Sequence, residues 1–281
     1  MQYRYKLWVS NTDIYCHNIK NYLLSSTTDY IILHKTNVEL VMLFYILSVL
    51  FTILHAITIL PLYLIFPMSL KIKCSVYGIK VILFLCKTID KVDYEIRGYE
   101  NLPDDSSYII ASEHQSPLET LILFTTLKDP VYVLKKELRY LPFFGLYFML
   151  IKMIFINRQQ KIQALKHMLS ATKSRVKEGR TVIVFPQGSR TIPGEKISIK
   201  PGITAIYNQL SIPIVPVAVN TGLFWPASIL SFKKRPGKAI IQILPPIYPG
   251  LSKQEFTNEL ETRISTASNS LIKEALQQNS L

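Results

Sequence analysis

From Leu40 to Phe66 the chain runs for 27 residues without a formal charge. A helix rises about 1.5 Å per residue, so a run of this length reaches about 40 Å, beyond the roughly 30 Å hydrocarbon core of a bilayer. Core helices of soluble proteins rarely go so long without a charge. A cleavable signal peptide fits poorly, because the run starts late and no small-x-small site follows it. The expectation is a membrane-spanning helix, kinked near its end by Pro61. The next apolar stretch, residues 74–87 (CSVYGIKVILFLCK), is too short to span and contains Lys80, which suits a helix lying in the membrane interface. Lys71, Lys73, Lys80 and Lys87 follow the long run, against only Lys20 and Lys35 shortly before it. That bias places the C-terminal part on the cytoplasmic side. Three regions follow: residues 1–37, a polar N-terminal extension of unknown role; 38–90, a membrane-anchoring segment; and 91–281, one folded domain.

Cys16, Cys74 and Cys86 show no CxxC spacing and leave one cysteine over, so a disulfide framework or cysteine-based zinc site is not expected. With only 10 glycines and no heptad or short-period repeat, collagen and coiled coil are excluded as main architectures. The net charge of +13 is concentrated: residues 128–200 hold 15 Lys/Arg against 4 acids, a local +11. A basic block of this kind points to an anionic partner, such as a membrane surface, phosphate-bearing substrate or nucleic acid. Aromatic residues do not interleave with it as an RNA surface requires, so nucleic acid is not expected.

From about Asp93 the pattern alternates short apolar runs with helical periodicity. Residues 108–112 (YIIAS), 131–135 (VYVLK), 153–156 (MIFI), 181–185 (TVIVF), 214–219 (IVPVAV) and 239–244 (AIIQIL) read as strands. Residues 160–178 read as a helix closed by Gly179 in a left-handed C-cap, and 254–277 as a second long helix. The fold class is therefore α/β: a parallel or mixed sheet flanked by helices, with functional loops at strand ends and with the membrane helix and interfacial helix preceding it.

Two such loops carry chemistry. In SEHQSPLET, residues 112–120, Ser116-Pro117-Leu118-Glu119 is a helix start, with Ser as N-cap, Pro first and Glu third. His114 then lies just outside a helix N-terminus, and the Glu119 carboxylate points back toward it. Capping alone explains Glu119, yet the same geometry sets the carboxylate beside the imidazole, where it fixes the tautomer and raises the basicity of the far ring nitrogen. The second loop is FPQGSRT, residues 185–191. Gly188 permits close backbone approach, and Arg190 offers a fork for phosphate. There is no Walker loop, GxSxG elbow, HExxH or paired Cys/His set, so no metal is expected.

HQSPLE, with His114 and Glu119 in an HX4E frame, resembles motif I (HX4D) of the glycerolipid acyltransferases. FIN-Arg158 resembles their second motif, FPQGSR their FPEGTR, and IPIVPV (212–217) their fourth, in order over roughly residues 95–220. Lys200 and Gly202 resemble the Lys-x-Gly after the third motif. The resemblance is to the bacterial 1-acyl-sn-glycerol-3-phosphate acyltransferases.

It implies a glycerolipid-acyltransferase-like fold over 91–281 and transfer of an acyl group to the sn-2 hydroxyl of lysophosphatidic acid, giving phosphatidic acid. His114 would be general base and Glu119 its orienting partner. Arg158 and Arg190, with Lys135 as third cation, would hold the phosphate; Gln187, Gly188 and Ser189 complete the substrate loop. No cofactor is implied beyond acyl-CoA or acyl carrier protein as co-substrate, and the location implied is the bacterial inner membrane. Two departures stand out: Glu119 where motif I has Asp, and Gln187 where motif III has Glu. The latter removes a charge beside the phosphate site while keeping hydrogen bonding. Another lysophospholipid, a lyso-aminolipid or a lipid A precursor stays open as acceptor, and a non-enzymatic membrane-bound binder of nucleic acid or anionic lipid, resting on charge alone, is the competing reading.

Overall fold

The computed structural model describes residues 37–104 and 107–278. The expected N-terminal extension thus lies almost wholly outside the described residues. Helix α1, Val38–Ile59, starts at Asn37, whose side-chain oxygen accepts the Glu39 and Leu40 N–H groups. Its 22 residues span about 33 Å. Pro61 ends the helix rather than kinking it: the chain turns through a 3-10 segment, Pro61–Leu64, into helix α2, Met68–Thr88. Among the described residues α1 is the one helix long and apolar enough to cross a membrane. Helix α2 is longer than the interfacial segment read from the sequence. It buries Leu83 and Cys86 in the same core as the sheet, while Tyr77 and Phe84 stay exposed. Gly78 lets it cross α1 closely, since a Cβ there would lie 3.2 Å from the His55 ring.

Seven strands follow: β1 Val92–Arg97, β2 Ile109–Ser112, β3 Pro130–Lys135, β4 Ile154–Ile156, β5 Thr181–Val184, β6 Ile214–Val219 and β7 Gly237–Ile243. They form one sheet in the order β1-β7-β6-β2-β5-β3-β4, parallel except for the β6–β7 pair. The expected mixed sheet is present, with one strand more than the sequence reading gave. Strand β1 was missed because its VDYEIR pattern buries only Val92, whereas β2, β5 and β6 are buried along their whole length. An edge strand covered unevenly reads as polar; interior strands covered on both faces read as continuous apolar runs. Pro216 is tolerated in β6 because pairing with β7 ends beside it, at Val217↔Ile243.

The remaining helices are α3 Pro117–Thr126, α4 Phe144–Leu150, α5 Lys161–Lys177, α6 Pro201–Leu210 and α7 Lys253–Gln278. At the end of α5, Gly179 has φ +73°; its N–H donates to Val176 O, and that of Arg180 to Arg175 O, the pair of bonds the expected left-handed cap predicts.

Helix α1 is held to the α/β domain in part by one buried cation. Lys234 Nζ lies 2.6 Å from Asp90 Oδ2 and sits over the rings of Phe44, Trp225 and Tyr45 at 3.2, 3.7 and 4.4 Å. Phe44 and Tyr45 belong to α1. Burial pulls the lysine pKa down and pushes the Asp90 pKa up, and each partner's charge opposes the shift of the other. Removing one member of such a pair leaves an uncompensated buried charge, which costs about 3–5 kcal/mol. Lys234→Met should therefore lower the thermal midpoint of the detergent-solubilised protein sharply, and Lys234→Met combined with Asp90→Asn should recover much of the loss. A single variant as stable as wild type would mean that the pair contributes nothing to docking α1.

Candidate active site

His114 lies two residues after the end of β2, and α3 begins three residues later, so the sheet fixes one side of the loop and the helix cap the other. Ser116 Oγ accepts the Leu118 N–H at 3.0 Å, and Glu119 Oε1 accepts the Ser116 N–H at 2.9 Å, a complete capping box with Pro117 in the first turn. The same Oε1 lies 2.7 Å from His114 Nδ1 and accepts the Gln115 N–H at 3.0 Å. Oε2 accepts the Thr221 hydroxyl at 2.6 Å. Glu119 is fully buried, while 15% of the His114 side chain is exposed. A carboxylate accepting from Nδ1 places the ring proton there and leaves Nε2 with a lone pair, free of protein partners among the described residues. The imidazole is stacked on Phe185, 3.9 Å between centroids, and Phe185 on Tyr132 at 5.7 Å.

The FPQGSR loop braces the histidine from the end of β5. Gln187 Oε1 accepts the His114 backbone N–H at 3.0 Å, its Nε2 donates to Thr191 Oγ1 at 3.3 Å, and the Thr191 N–H donates to His114 O at 2.8 Å. An amide at position 187 thus meets a donor and an acceptor with both of its ends, and both contacts hold the loop. Gly188 has φ +74°, which a side chain rarely adopts. Arg158, just beyond β4, donates through Nη1 to Gly188 O; a Cβ at Gly188 would lie 3.5 Å from that nitrogen and 3.7 Å from Lys200 Cγ. Arg158, Lys200 and the Gly188 turn therefore form one cluster. Lys135 is exposed at the end of β3, paired in register with Ile156, two residues before Arg158. Ser189 is exposed. Arg190 is placed apart: its Nη1 donates to Ala227 O at 2.9 Å, while Nε is buried without a partner. Burial lowers its pKa, and the Glu119 charge opposes that shift.

Several supporting residues were not singled out by the sequence reading. Thr221 and Gly222 follow β6, and the Gly222 N–H donates to Gln115 Oε1 at 3.1 Å. Gln115 Nε2 donates to Glu113 Oε1 and Val219 O, both at 3.0 Å. Ser268 of α7 donates to Glu113 Oε2. Their position at the ends of β2 and β6 was a usable signal, since loops there face the same edge of the sheet.

Glu113 is completely buried, and burial pushes its pKa up to about 7, with the Glu119 charge adding to the effect and the Ser268 and Gln115 bonds opposing it. Its folded pKa lies above the ordinary value, so the native state binds the extra proton and stability falls as pH rises from about 4.5 through about 7. Glu113→Gln keeps a donor and an acceptor at the same place and removes this dependence. Denaturant unfolding should show the variant close to wild type at pH 5 and more stable than wild type at pH 8. An unchanged stability difference across that range would show that Glu113 does not titrate there.

A family model described as "Acyltransferase" matches residues 93–220. A 1-acyl-sn-glycerol-3-phosphate acyltransferase of Pseudomonas aeruginosa is 35% identical over 166 residues, covering 59% of this chain and 63% of that protein. The chain thus matches less than two thirds of that relative's length. The murine 1-acyl-sn-glycerol-3-phosphate acyltransferase alpha is 28% identical over 174 residues, 60% of each chain. The crystal structure of the lysophosphatidate acyltransferase PlsC from Thermotoga maritima superposes with a TM-score of 0.69 at 23% identity, over 84% of this chain and 95% of that one, a likeness of fold. An uncharacterized acyltransferase of Schizosaccharomyces pombe is 31% identical over 196 residues, covering 68% of this chain and 69% of that protein. With identity sustained over more than two thirds of that relative, and the family model lying on the segment that holds both loops, the chain belongs to the acyltransferase family.

Proposed function

We propose that this protein transfers a fatty acyl group from an acyl thioester to the sn-2 hydroxyl of lysophosphatidic acid, producing phosphatidic acid at a membrane. The observation that carries the reading is the 2.7 Å contact of His114 Nδ1 with a fully buried Glu119 carboxylate, which leaves Nε2 as the free base. The names of the relatives supply the reaction class, and the cluster of Arg158, Lys200 and Lys135 at the same edge of the sheet suits a phosphate-bearing acceptor.

In this reading Nε2 takes the proton from the acceptor hydroxyl as its oxygen bonds to the thioester carbonyl carbon. The tetrahedral intermediate collapses with loss of the thiolate, which receives the proton back from the imidazolium. The products are the ester and the free thiol of coenzyme A or an acyl carrier protein. The Glu119 carboxylate stabilises the transient imidazolium, an interaction strengthened by its burial. Ser116 is not the nucleophile, because its Oγ caps α3. The apolar α1 anchors the enzyme, with the α/β domain on the cytoplasmic side of the bacterial inner membrane as the lysine bias of the sequence suggests.

Purified protein given lysophosphatidic acid and a labelled acyl thioester should form labelled phosphatidic acid. His114→Ala should lower the rate about 10²–10⁴-fold, the usual range for a lost general base, with circular dichroism and thermal midpoint unchanged. Acylation of a different lysolipid in preference to lysophosphatidic acid would reassign the acceptor. Near-full activity of folded His114→Ala would remove the histidine from the chemistry.

A further inference from the structure

The segment between β3 and α4, together with the start of α4, presents an apolar surface that the proposed reaction does not use. Tyr140, Leu141, Phe143, Phe144 and Leu146 are all exposed, Tyr140 to 73%. Clustered apolar side chains of this size mark a contact surface rather than ordinary scatter. The backbone beneath them is tightly built. Gly145 is buried where a Cβ would lie 2.0 Å from Arg139 O, and its N–H donates to Leu141 O at 2.8 Å. Phe143 is held at φ +60°, a conformation that costs an aromatic residue free energy and that persists only where the surroundings enforce it.

The patch is joined to the anchor. Tyr147 of α4 shares a 2.6 Å hydrogen bond with Tyr63, in the turn that follows α1, and lies 3.4 Å from His55 Nε2 of α1 itself. Beside Tyr63, Leu64 and Ile65 are exposed to 73% and 78%. Exposed Lys135, Lys136, Arg139 and Lys152 surround the segment, with Glu137 as the acid among them. Aromatic and aliphatic side chains flanked by cations, next to an apolar helix, are the pattern of an element that sits at headgroup depth in an anionic bilayer.

We propose that the segment Tyr140–Leu146 is a second membrane-insertion element, seated in an anionic phospholipid surface beside α1. The proposal rests on the reading of α1 as a membrane helix. Because the segment leaves β3 just after Lys135, and the chain returns through β4 to Arg158, its insertion holds that cationic edge at the depth where the phosphate of a membrane-resident acceptor lies.

The test uses the full chain with its three cysteines replaced by alanine and one new cysteine carrying an environment-sensitive fluorophore, reconstituted in vesicles of phosphatidylcholine and phosphatidylglycerol with or without nitroxide lipid. The label is placed by Phe144→Cys, by Leu54→Cys on the exposed face of α1, or by Lys253→Cys on α7. The labels at 144 and 54 should be blue-shifted and quenched by nitroxide lipid, and the label at 253 should not. Quenching at 54 with a water-like signal at 144 would overturn the inference and leave the anchor intact. An apolar but unquenched signal at 144 would assign the patch to a protein contact and also overturn it. No quenching at either site would remove the membrane reading of α1 and the inference with it. In the chain with native cysteines, Leu141→Asp with Phe144→Asp should slow acylation of a long-chain acceptor in vesicles several-fold while leaving a short-chain acceptor in detergent unaffected; equal loss on both would point to misfolding or a role in chemistry instead.

Discussion

A single buried carboxylate organises the reactive end of the sheet. Glu119 receives four donors: the imidazole of His114, the backbone N–H groups of Gln115 and Ser116, and the hydroxyl of Thr221. The Ser116 N–H is an orphan of the helix start, the Gln115 N–H and the imidazole belong to the loop after β2, and the hydroxyl belongs to the loop after β6. An ionised side chain with no access to water needs such partners, because each missing bond would leave desolvation uncompensated. The donors that satisfy the buried carboxylate therefore include the group whose tautomer it fixes. Helix capping and orientation of the base are one interaction here, not two alternatives.

Around this centre the neighbouring loops limit how far the histidine can move. Gln187 grips its backbone from β5, Phe185 supports the ring face, and Glu113 with Gln115 ties the preceding residues to α7 and to the turn after β6. The substitution of an amide for an acid at 187 fits this role, since one end must accept from His114 and the other donates to Thr191. In the segment after β6 that begins with Thr221, Lys234 performs a comparable task for α1. Its ammonium is enclosed by Asp90 from the α2–β1 junction, by the Phe44 and Tyr45 rings of α1 and by Trp225, so α1 and the sheet share a fixed orientation.

How much of this the sequence disclosed depended on whether the signal was local. The capping box and the His114–Glu119 approach could be read from SEHQSPLET because helix geometry alone brings the third residue of a helix back to its start. The interior strands were legible as apolar runs, and Gly179 as a helix stop. What was not legible comes from distant chain segments meeting. Thr221 lies 102 positions from Glu119, Ser268 lies 155 from Glu113, and Asp90 lies 144 from Lys234. No periodicity reports such contacts, and a lysine in a loop reads as solvated until the aromatic residues around it are placed. The edge strand β1 escaped for a different reason: its alternation of Val92, Tyr94 and Ile96 with Asp93, Glu95 and Arg97 was present, but the charges outweighed it.

We propose that the charge on Glu119, and not only its capping geometry, sustains His114 as a base. The most direct measurement compares kcat for wild type, Glu119→Gln and Glu119→Asp prepared in parallel. Gln at the third helical position still completes a capping box, so the helix start survives while the anion beside the imidazolium is lost. The account predicts that Glu119→Gln lowers kcat by about 10²-fold or more, on the scale of general-base catalysis, and that Glu119→Asp, which keeps the charge, retains well more activity than Gln. Equal kcat for all three would contradict it, leaving Glu119 as a helix cap and His114 without the partner that makes it a base.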